Sequence, residues 1–382
     1  MALARIRDLD LSLVDNRVLL RAPSRGIGAR VPTLAVAVLS FCDEPRTRDE
    51  VVRAFGPPGG QLYDGLADLG VLVPPEDTLD TPVFFQNFAS LDTHRRMLAD
   101  RHRLEAYRAG LAEVVKPEDV VVDAGTGSGV LAMLAARAGA ARVHAVDQAD
   151  ILQQAGPVIA ANGLDGTITL HAADFRTVKL PEPVQVLVTE TFGALAYAEG
   201  ATPDLQACLA NNGPDATVVP SHVELWLAPV GAPTRAAALA GFAPFAGLDF
   251  SVLENANAHR GILFEIPEDA LMAEPQQASR RRWPHDDDRF DARLAFEIDG
   301  LLGGLCGWFD LQMSPSVRLS TGPAAPLTHW KQTLLPIPPI EVHGRIELAL
   351  RFGPPANDRR GYEVEGELRT PEGVRPVSWR VR

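Results

Sequence analysis

The sequence predicts an α/β protein in which a Rossmann-like doubly wound domain is followed by a barrel-like β domain and preceded by a small helical unit. Three observations carry this. From about residue 83 to 213 the apolar periodicity switches repeatedly between strand and helix; a glycine-rich turn, Gly125-Thr-Gly127-Ser-Gly129, follows the first buried strand; and beyond Pro214 alternating segments are punctuated by Gly and Pro. The 382 residues exceed what one ordinary core accommodates. Expected boundaries are 1–75, 83–213 and 214–382.

The balance of 36 basic against 49 acidic side chains, net −13, has the wrong sign for tracking phosphate backbones and favours cationic partners. Cys42, Cys208 and Cys306 are far apart and form no CxxC pair, which argues against a disulfide framework and a cysteine zinc site. His102, His144, His171 and the other histidines show no ligand spacing, so no metal is expected. The N-terminus lacks a signal-peptide core, and no apolar run reaches the length of a membrane span, so the chain reads as cytoplasmic.

In the first unit a short strand, Arg17 to Arg21, precedes an apolar helix, Thr33 to Phe41. Thr47-Arg-Asp-Glu50 is a capping-box signature that starts a second helix. After Gly56-Pro-Pro-Gly-Gly60 a third helix, Gln61 to Leu69, runs into the strand Gly70 to Val73. Strand, three helices and strand is a winged-helix pattern. The unit resembles the peptide-recognition domains of enzymes that modify ribosomally made peptides, which implies capture of a leader peptide as an added strand. A DNA-binding winged helix fits less well, because the third helix carries Asp64 and Asp68 and no cation. A purely structural or dimer-contact role stays open. The segment 74–82, rich in Pro and acids, reads as a linker.

In the second unit, strands are expected at Val120 to Val122, Arg142 to Val146, Ile168 to His171 and Val184 to Val188, with a helix at Gly129 to Ala138. The first strand runs through Asp123 into Gly125 and Gly127, where glycines let a ligand approach the backbone. The second ends at Asp147, a carboxylate placed to accept ribose hydroxyls. The third is followed by Asp174 and Phe175, an acid for an exocyclic amine beside an apolar face for adenine. GxGxG lacks the spacing of a dinucleotide fingerprint. Together these residues suggest an adenosine without a diphosphate, with S-adenosylmethionine the leading candidate; the bland alternative is a set of structural turn residues.

The fourth strand emerges at Glu190, and Glu199 lies nine residues on in the same loop. Two converging carboxylates in a partly dry cleft call for a cation between them, and a guanidinium, always charged and planar, suits forked carboxylates. Two solvated loop acids is the alternative. The segment Phe84 to Val230, with the later Thr328-His329-Trp330-Lys331-Gln332-Thr333, resembles the protein arginine methyltransferases, over about residues 83 to 382.

The resemblance implies that Glu190 and Glu199 grip the acceptor guanidinium and that His329 pairs with Asp100 in a proton-release relay. It implies that Arg103 holds the cofactor carboxylate, with His94 and Met97 beside the cofactor, that Gly125, Gly127 and Asp147 contact backbone and ribose, and that Trp330 lines the substrate channel. The chain departs from the family at Phe84-Phe85-Gln-Asn-Phe88, where Tyr-Phe-x-x-Tyr is usual, at Thr191-Phe192 in place of Trp-Met, and at Ala201, where a methionine is frequent. The family's adenine-contacting glutamate falls on Arg176, which leaves Asp174 for that role. The insert Thr234 to Phe250 stands where the family carries its dimerisation arm, implying a homodimer. The expected activity is therefore transfer of a methyl group to an arginine of a peptide or protein, including a precursor peptide recruited by residues 1–75. A different nitrogen acceptor such as histidine, or a catalytically weak peptide-binding scaffold, remains the alternative.

Overall fold

The computed structural model describes residues 2–6, 9–14, 17–22, 27–42, 45–74, 90–243, 248–250, 253–254, 258–355 and 361–381. The 74–82 linker apart from its first residue, the Phe84–Phe88 pattern and residues 244–247 of the insert lie outside them. The chain divides into two compact units, the first ending at Ser90 and the second beginning at Leu91.

The first unit contains two small antiparallel sheets. One has the order β5-β1-β6, from β1 (Ala2–Arg5), β5 (Arg46–Thr47) and β6 (Leu72–Val73); the other is a meander of β2 (Asp10–Val14), β3 (Arg17–Ala22) and β4 (Ile27–Val31). The helix Leu34–Phe41 packs Val38 and Leu39 into a core with Leu20, Val51 and Leu66. The capping box is formed: the Thr47 backbone N–H donates to Glu50 Oε2 at 2.8 Å, and the Glu50 N–H reaches the Thr47 hydroxyl. The expected break at Gly56-Pro-Pro-Gly-Gly60 is a kink within the helix Arg48–Asp68, not a loop. Gly56 leaves helical geometry at φ +70, and Pro57 and Pro58 then occupy the first turn of the continuing segment, where their missing N–H groups are not needed. Strands β1, β2 and β4 escape the sequence pattern because charged residues interrupt them every few positions.

The second unit opens with the helices Leu91–Ala99 and Arg101–Val114 and a parallel sheet of β7 (Val120–Ala124), β8 (Arg142–Asp147), β9 (Ile168–Ala172), β10 (Val186–Thr189) and β11 (Thr217–Val219), in the order β11-β10-β7-β8-β9. The chain winds outward from β7 to β9, then crosses over to β10. The switch point therefore lies between the C-terminal ends of β7 and β10, where an open α/β sheet leaves a crevice. Strand β11 sits past residue 213 yet pairs in parallel with β10, so the parallel sheet extends beyond the expected boundary. Its few residues are too short a run to separate from the β segments that follow.

Those segments form an eight-stranded, mainly antiparallel sheet: β12 (His222–Gly231), β13 (Ile262–Phe264), β14 (Gln276–Arg282), β15 (Phe290–Gln312), β16 (Arg318–Ser320), β17 (Gln332–Gly353), β18 (Tyr362–Thr370) and β19 (Gly373–Val381). The long strands β15 and β17 pair throughout, with a register shift between Leu302 and Gly304. The helix Arg101–Val114 joins this sheet to the parallel one. Gly110 makes room for Met313, since an added Cβ would lie 2.5 Å from that residue's Cβ, and Ser314 Oγ donates to Glu113 Oε2 at 2.6 Å.

Candidate active site

At the end of β7 the backbone turns through Gly125, Gly127 and Gly129, all with positive φ. Asp123 precedes this turn, with Oδ1 buried and without a hydrogen-bond partner among the described residues. It is fully buried; its Oδ2 accepts from the Thr126 hydroxyl at 2.6 Å and from the Ala132 N–H at 2.8 Å, so it braces the loop against the following helix. Burial raises its carboxyl to about 7, against those two hydrogen bonds. Gly127 lies beneath the His94 ring, where an added Cβ would approach Cε1 to 2.6 Å.

Asp147, at the end of β8, accepts from the Gly127 N–H at 2.8 Å through Oδ2 and from the Ala149 N–H at 2.8 Å through Oδ1. It links two strand ends, and burial raises its carboxyl although these amides oppose the shift. Asp174 behaves differently from expectation. Its Oδ1 accepts from the Arg176 N–H at 2.9 Å and its Oδ2 from Arg176 Nε at 2.7 Å, so both oxygens are already engaged. The arginine standing where the family has a glutamate takes up the nearest acid. Phe175 is half-buried and packs against the main core.

The helix pair 91–114 supplies the next group. Asp100 caps the second helix, with Oδ1 accepting from the Arg103 N–H at 3.1 Å, while Oδ2 accepts from the His329 N–H at 2.9 Å and from His329 Nδ1 at 3.0 Å. Burial pushes the Asp100 carboxyl up, but hydrogen bonds from His329 and Arg103 outweigh it and hold the group below its ordinary value. Arg103 donates from Nη2 to the Met97 carbonyl at 2.8 Å and from Nη1 to Glu190 Oε2. The two side chains of this ion pair are only 2% and 7% exposed, a dry setting in which each charge requires the other. Among the described residues Arg103 Nε is buried without a hydrogen-bond partner. Met97 contributes its carbonyl to this pairing.

Glu190 and Glu199 bound a loop that reverses at Gly193–Ala196, where the two residues form an antiparallel bridge and Leu195 and Ala196 adopt φ +51 and +69. Left-handed backbone at non-glycine residues costs about 1–2 kcal/mol each, so packing must hold it. Leu195 is buried against Gly307, and Phe192 lies 4.9 Å from the Trp283 ring and 6.0 Å from Phe309. Glu199 folds back over Gly193, where an added Cβ would meet its Cγ at 2.9 Å. Trp330 is buried rather than lining an open channel: its indole Nε1 donates to the Phe192 carbonyl at 2.7 Å, and its ring stands 4.2 Å from His329. The bond ties the Trp330 segment to the glutamate loop.

Sequence reasoning missed Tyr107, whose hydroxyl donates to the Thr189 carbonyl at 2.8 Å beneath Glu190, and Phe192 as the anchor of the loop. A tyrosine one helical turn from Arg103 was the available signal. Among the described residues no cluster of His, Cys, Asp and Glu could hold a metal ion, and no helix is long and apolar enough to cross a membrane.

The fold has known counterparts. A Trypanosoma brucei PRMT1 enzyme–prozyme heterotetramer solved with AdoHcy matches with a TM-score of 0.71 at 22% identity, over 77% of this chain and 99% of that one. Arabidopsis thaliana protein arginine methyltransferase 10 gives 0.66 at 22% identity, over 78% and 98%. The fold is that of the protein arginine methyltransferases. Residues 245–369 match the family model described as the arginine methyltransferase oligomerization subdomain, and residues 106–191 that of the ribosomal protein L11 methyltransferase. The histone-arginine methyltransferase CARMER of Drosophila persimilis is 30% identical over 307 residues, 75% of this chain and 58% of the relative. The chain thus spans little more than half the length of that relative. The oligomerization model falls in the β half and the L11 methyltransferase model in the Rossmann-like half.

Proposed function

We propose that this chain is an S-adenosylmethionine-dependent N-methyltransferase whose acceptor is an arginine guanidinium of a protein or peptide. The observation that carries the reading is the buried pair of Arg103 and Glu190: the loop at the sheet's switch point already holds a guanidinium against one of its two glutamates. A second guanidinium, from the acceptor, meets Glu190 and Glu199 on the other side.

The residues present fit the cofactor. Gly125 and Gly127 give a backbone cradle with no Cβ, Asp147 stands at the second strand end for the ribose, and Arg103, with Nε unspent, is available to a carboxylate. When bound, S-adenosylmethionine supplies a sulfonium methyl group. The chain's own contribution is positioning and electrostatics. Glu190 and Glu199 draw the guanidinium charge toward the nitrogens they face, leaving the remaining nitrogen more nucleophilic. Asp100 fixes His329 through Nδ1, which leaves Nε2 to take the proton released on methylation. With its side chain 23% exposed, His329 can pass that proton to water.

The further readings belong to the same proposal. Residues 245–369 mediate a homodimer, supported by the oligomerization description of the matching model. Residues 1–75 act as a winged-helix-like peptide-capture unit; β2 and β4 end their sheet, and an edge strand is what an extended leader peptide would pair with.

The deciding experiment combines the protein with labelled cofactor and an arginine-containing peptide, and locates the methyl group by mass spectrometry. Methyl on arginine in the wild type and none with Glu190→Gln supports the reading. Methyl on histidine, or a near-normal rate in the variant, overturns it.

A further inference from the structure

Strand β15 presents two different faces. Phe309 turns toward the glutamate loop and meets Trp330 at 5.3 Å. Its neighbours Trp308 and Asp310 turn the other way, and the register sets Trp308 opposite Trp226 and Asp310 opposite Glu224 of β12. On that face lies a cavity of about 660 Å³, walled by Trp226, Trp308 and Met272, with Asp310 at its side and Glu268 and Glu274 exposed around it.

Two buried polar atoms here lack a hydrogen-bond partner: the donor Trp226 Nε1 and the acceptor Asp310 Oδ1. Asp310 is only 6% exposed, and although Ser320 lies opposite it in the ladder and Arg318 also serves the carboxylate, Oδ1 itself is left without a donor, which is costly. A matching ligand brings a donor for the carboxylate and an acceptor for the indole. The chain itself shows which donor suits. Arg318 donates from Nη2 to Asp310 Oδ2 at 2.7 Å, with its guanidinium 5.9 Å from the Trp226 ring. A guanidinium forks onto a carboxylate and stacks on indole in one placement, which an ammonium does not.

We propose that this cavity binds an arginine residue of a peptide, with its guanidinium on Asp310 Oδ1 beside the two indoles and a peptide carbonyl on Trp226 Nε1. The exposed acids Glu268 and Glu274 add attraction for a basic segment. Because β15 separates the cavity from the glutamate loop, the site is distinct from the catalytic one and does not rest on the methyltransferase reading. An arginine-rich substrate would be held at one arginine while another is presented.

The test titrates full-length protein carrying Glu199→Gln, which keeps the Arg103–Glu190 ion pair intact, with acetyl-Gly-Arg-Gly-amide by calorimetry, so that the one carboxylate left on the catalytic loop is already paired. One peptide per chain is expected, weakened about tenfold by Asp310→Asn and absent when citrulline replaces arginine. In ¹H–¹⁵N spectra the Trp226 indole resonance, assigned with Trp226→Phe among the five tryptophans, should shift on peptide addition. Should Asp310→Asn fail to fold, Glu268→Gln with Glu274→Gln, both on the exposed rim, should weaken binding severalfold instead. No binding on this background, equal binding of the citrulline peptide, or an unmoved Trp226 resonance would overturn the site. Failure of the methyltransferase reading would leave the one-peptide stoichiometry intact.

Discussion

Asp100 Oδ2 accepts both the backbone N–H and the Nδ1 of His329, at 2.9 and 3.0 Å, across 229 residues of chain. One carboxylate thereby caps a helix of the parallel-sheet half and fixes the imidazole of the β half. Asp100→Ala should lower stability by about 2–3 kcal/mol, from a lost cap and lost charge-assisted bonds, measured by urea unfolding. Because the folded carboxyl titrates below its ordinary value, this contribution is complete above the unfolded pKa and disappears as pH falls through the folded one. The gap between wild type and variant should therefore narrow on acidification.

Removing the carboxylate from the Arg103–Glu190 pair leaves a guanidinium buried without its counter-ion. Glu190→Gln should cost about 3–5 kcal/mol in unfolding free energy. Adding Arg103→Met should recover part of it, so that a double-mutant cycle reads a coupling of about 1–3 kcal/mol. Additive losses would mean that the two side chains do not depend on each other.

Asp123 reverses the usual acid dependence. Its carboxyl is raised by burial to about 7, so the folded chain keeps a proton that the unfolded chain releases near pH 4. Stability is complete below that value and falls as pH rises toward the folded pKa, by at most about 1.4 kcal/mol per pH unit. Asp123→Asn should gain on the wild type as pH rises from about 5 to about 8, followed by thermal unfolding at each pH.

Gly127 has φ +54 and lies under His94, whereas Gly163 has φ +67 with open space around it. Alanine at either position meets about 1–2 kcal/mol of backbone strain. Only Gly127→Ala should also displace His94 and weaken S-adenosylhomocysteine binding, by roughly tenfold or more. Equal affinities in the two variants would remove His94 and Gly127 from the cofactor cradle.

Trp330→Phe keeps the ring but loses the bond to the Phe192 carbonyl. If Trp330 positions the glutamate loop, turnover should drop about tenfold, equivalent to about 1.4 kcal/mol, with cofactor affinity unchanged. Loss of cofactor affinity instead would place the tryptophan in a different role.

The parts of the candidate site that stand at strand ends follow a local pattern visible in the sequence: Gly125 and Gly127 after β7, Asp147 at the end of β8, Glu190 after β10. What was not legible depends on partners distant in sequence or on a neighbour's charge. Nothing near Asp174 in the pattern says that Arg176 will occupy it, and Trp330 could not be oriented without knowing that the Phe192 carbonyl waits 138 residues earlier. The outer strands β14 and β19 are hard to read because their exposed, arginine-bearing sequences carry little apolar alternation. Strand β11 was left outside the parallel sheet because its few residues leave no room for a period.

The Trp330 and His329 contacts also set a schedule. During synthesis the parallel-sheet half emerges with Glu190 and Asp100 already in place, but its glutamate loop has strained backbone at Leu195 and Ala196 and nothing yet to clamp it. The clamp is encoded some 130 residues later. A nascent chain therefore holds its glycine turn and its strand ends well before the residue that clamps its glutamate loop has been made.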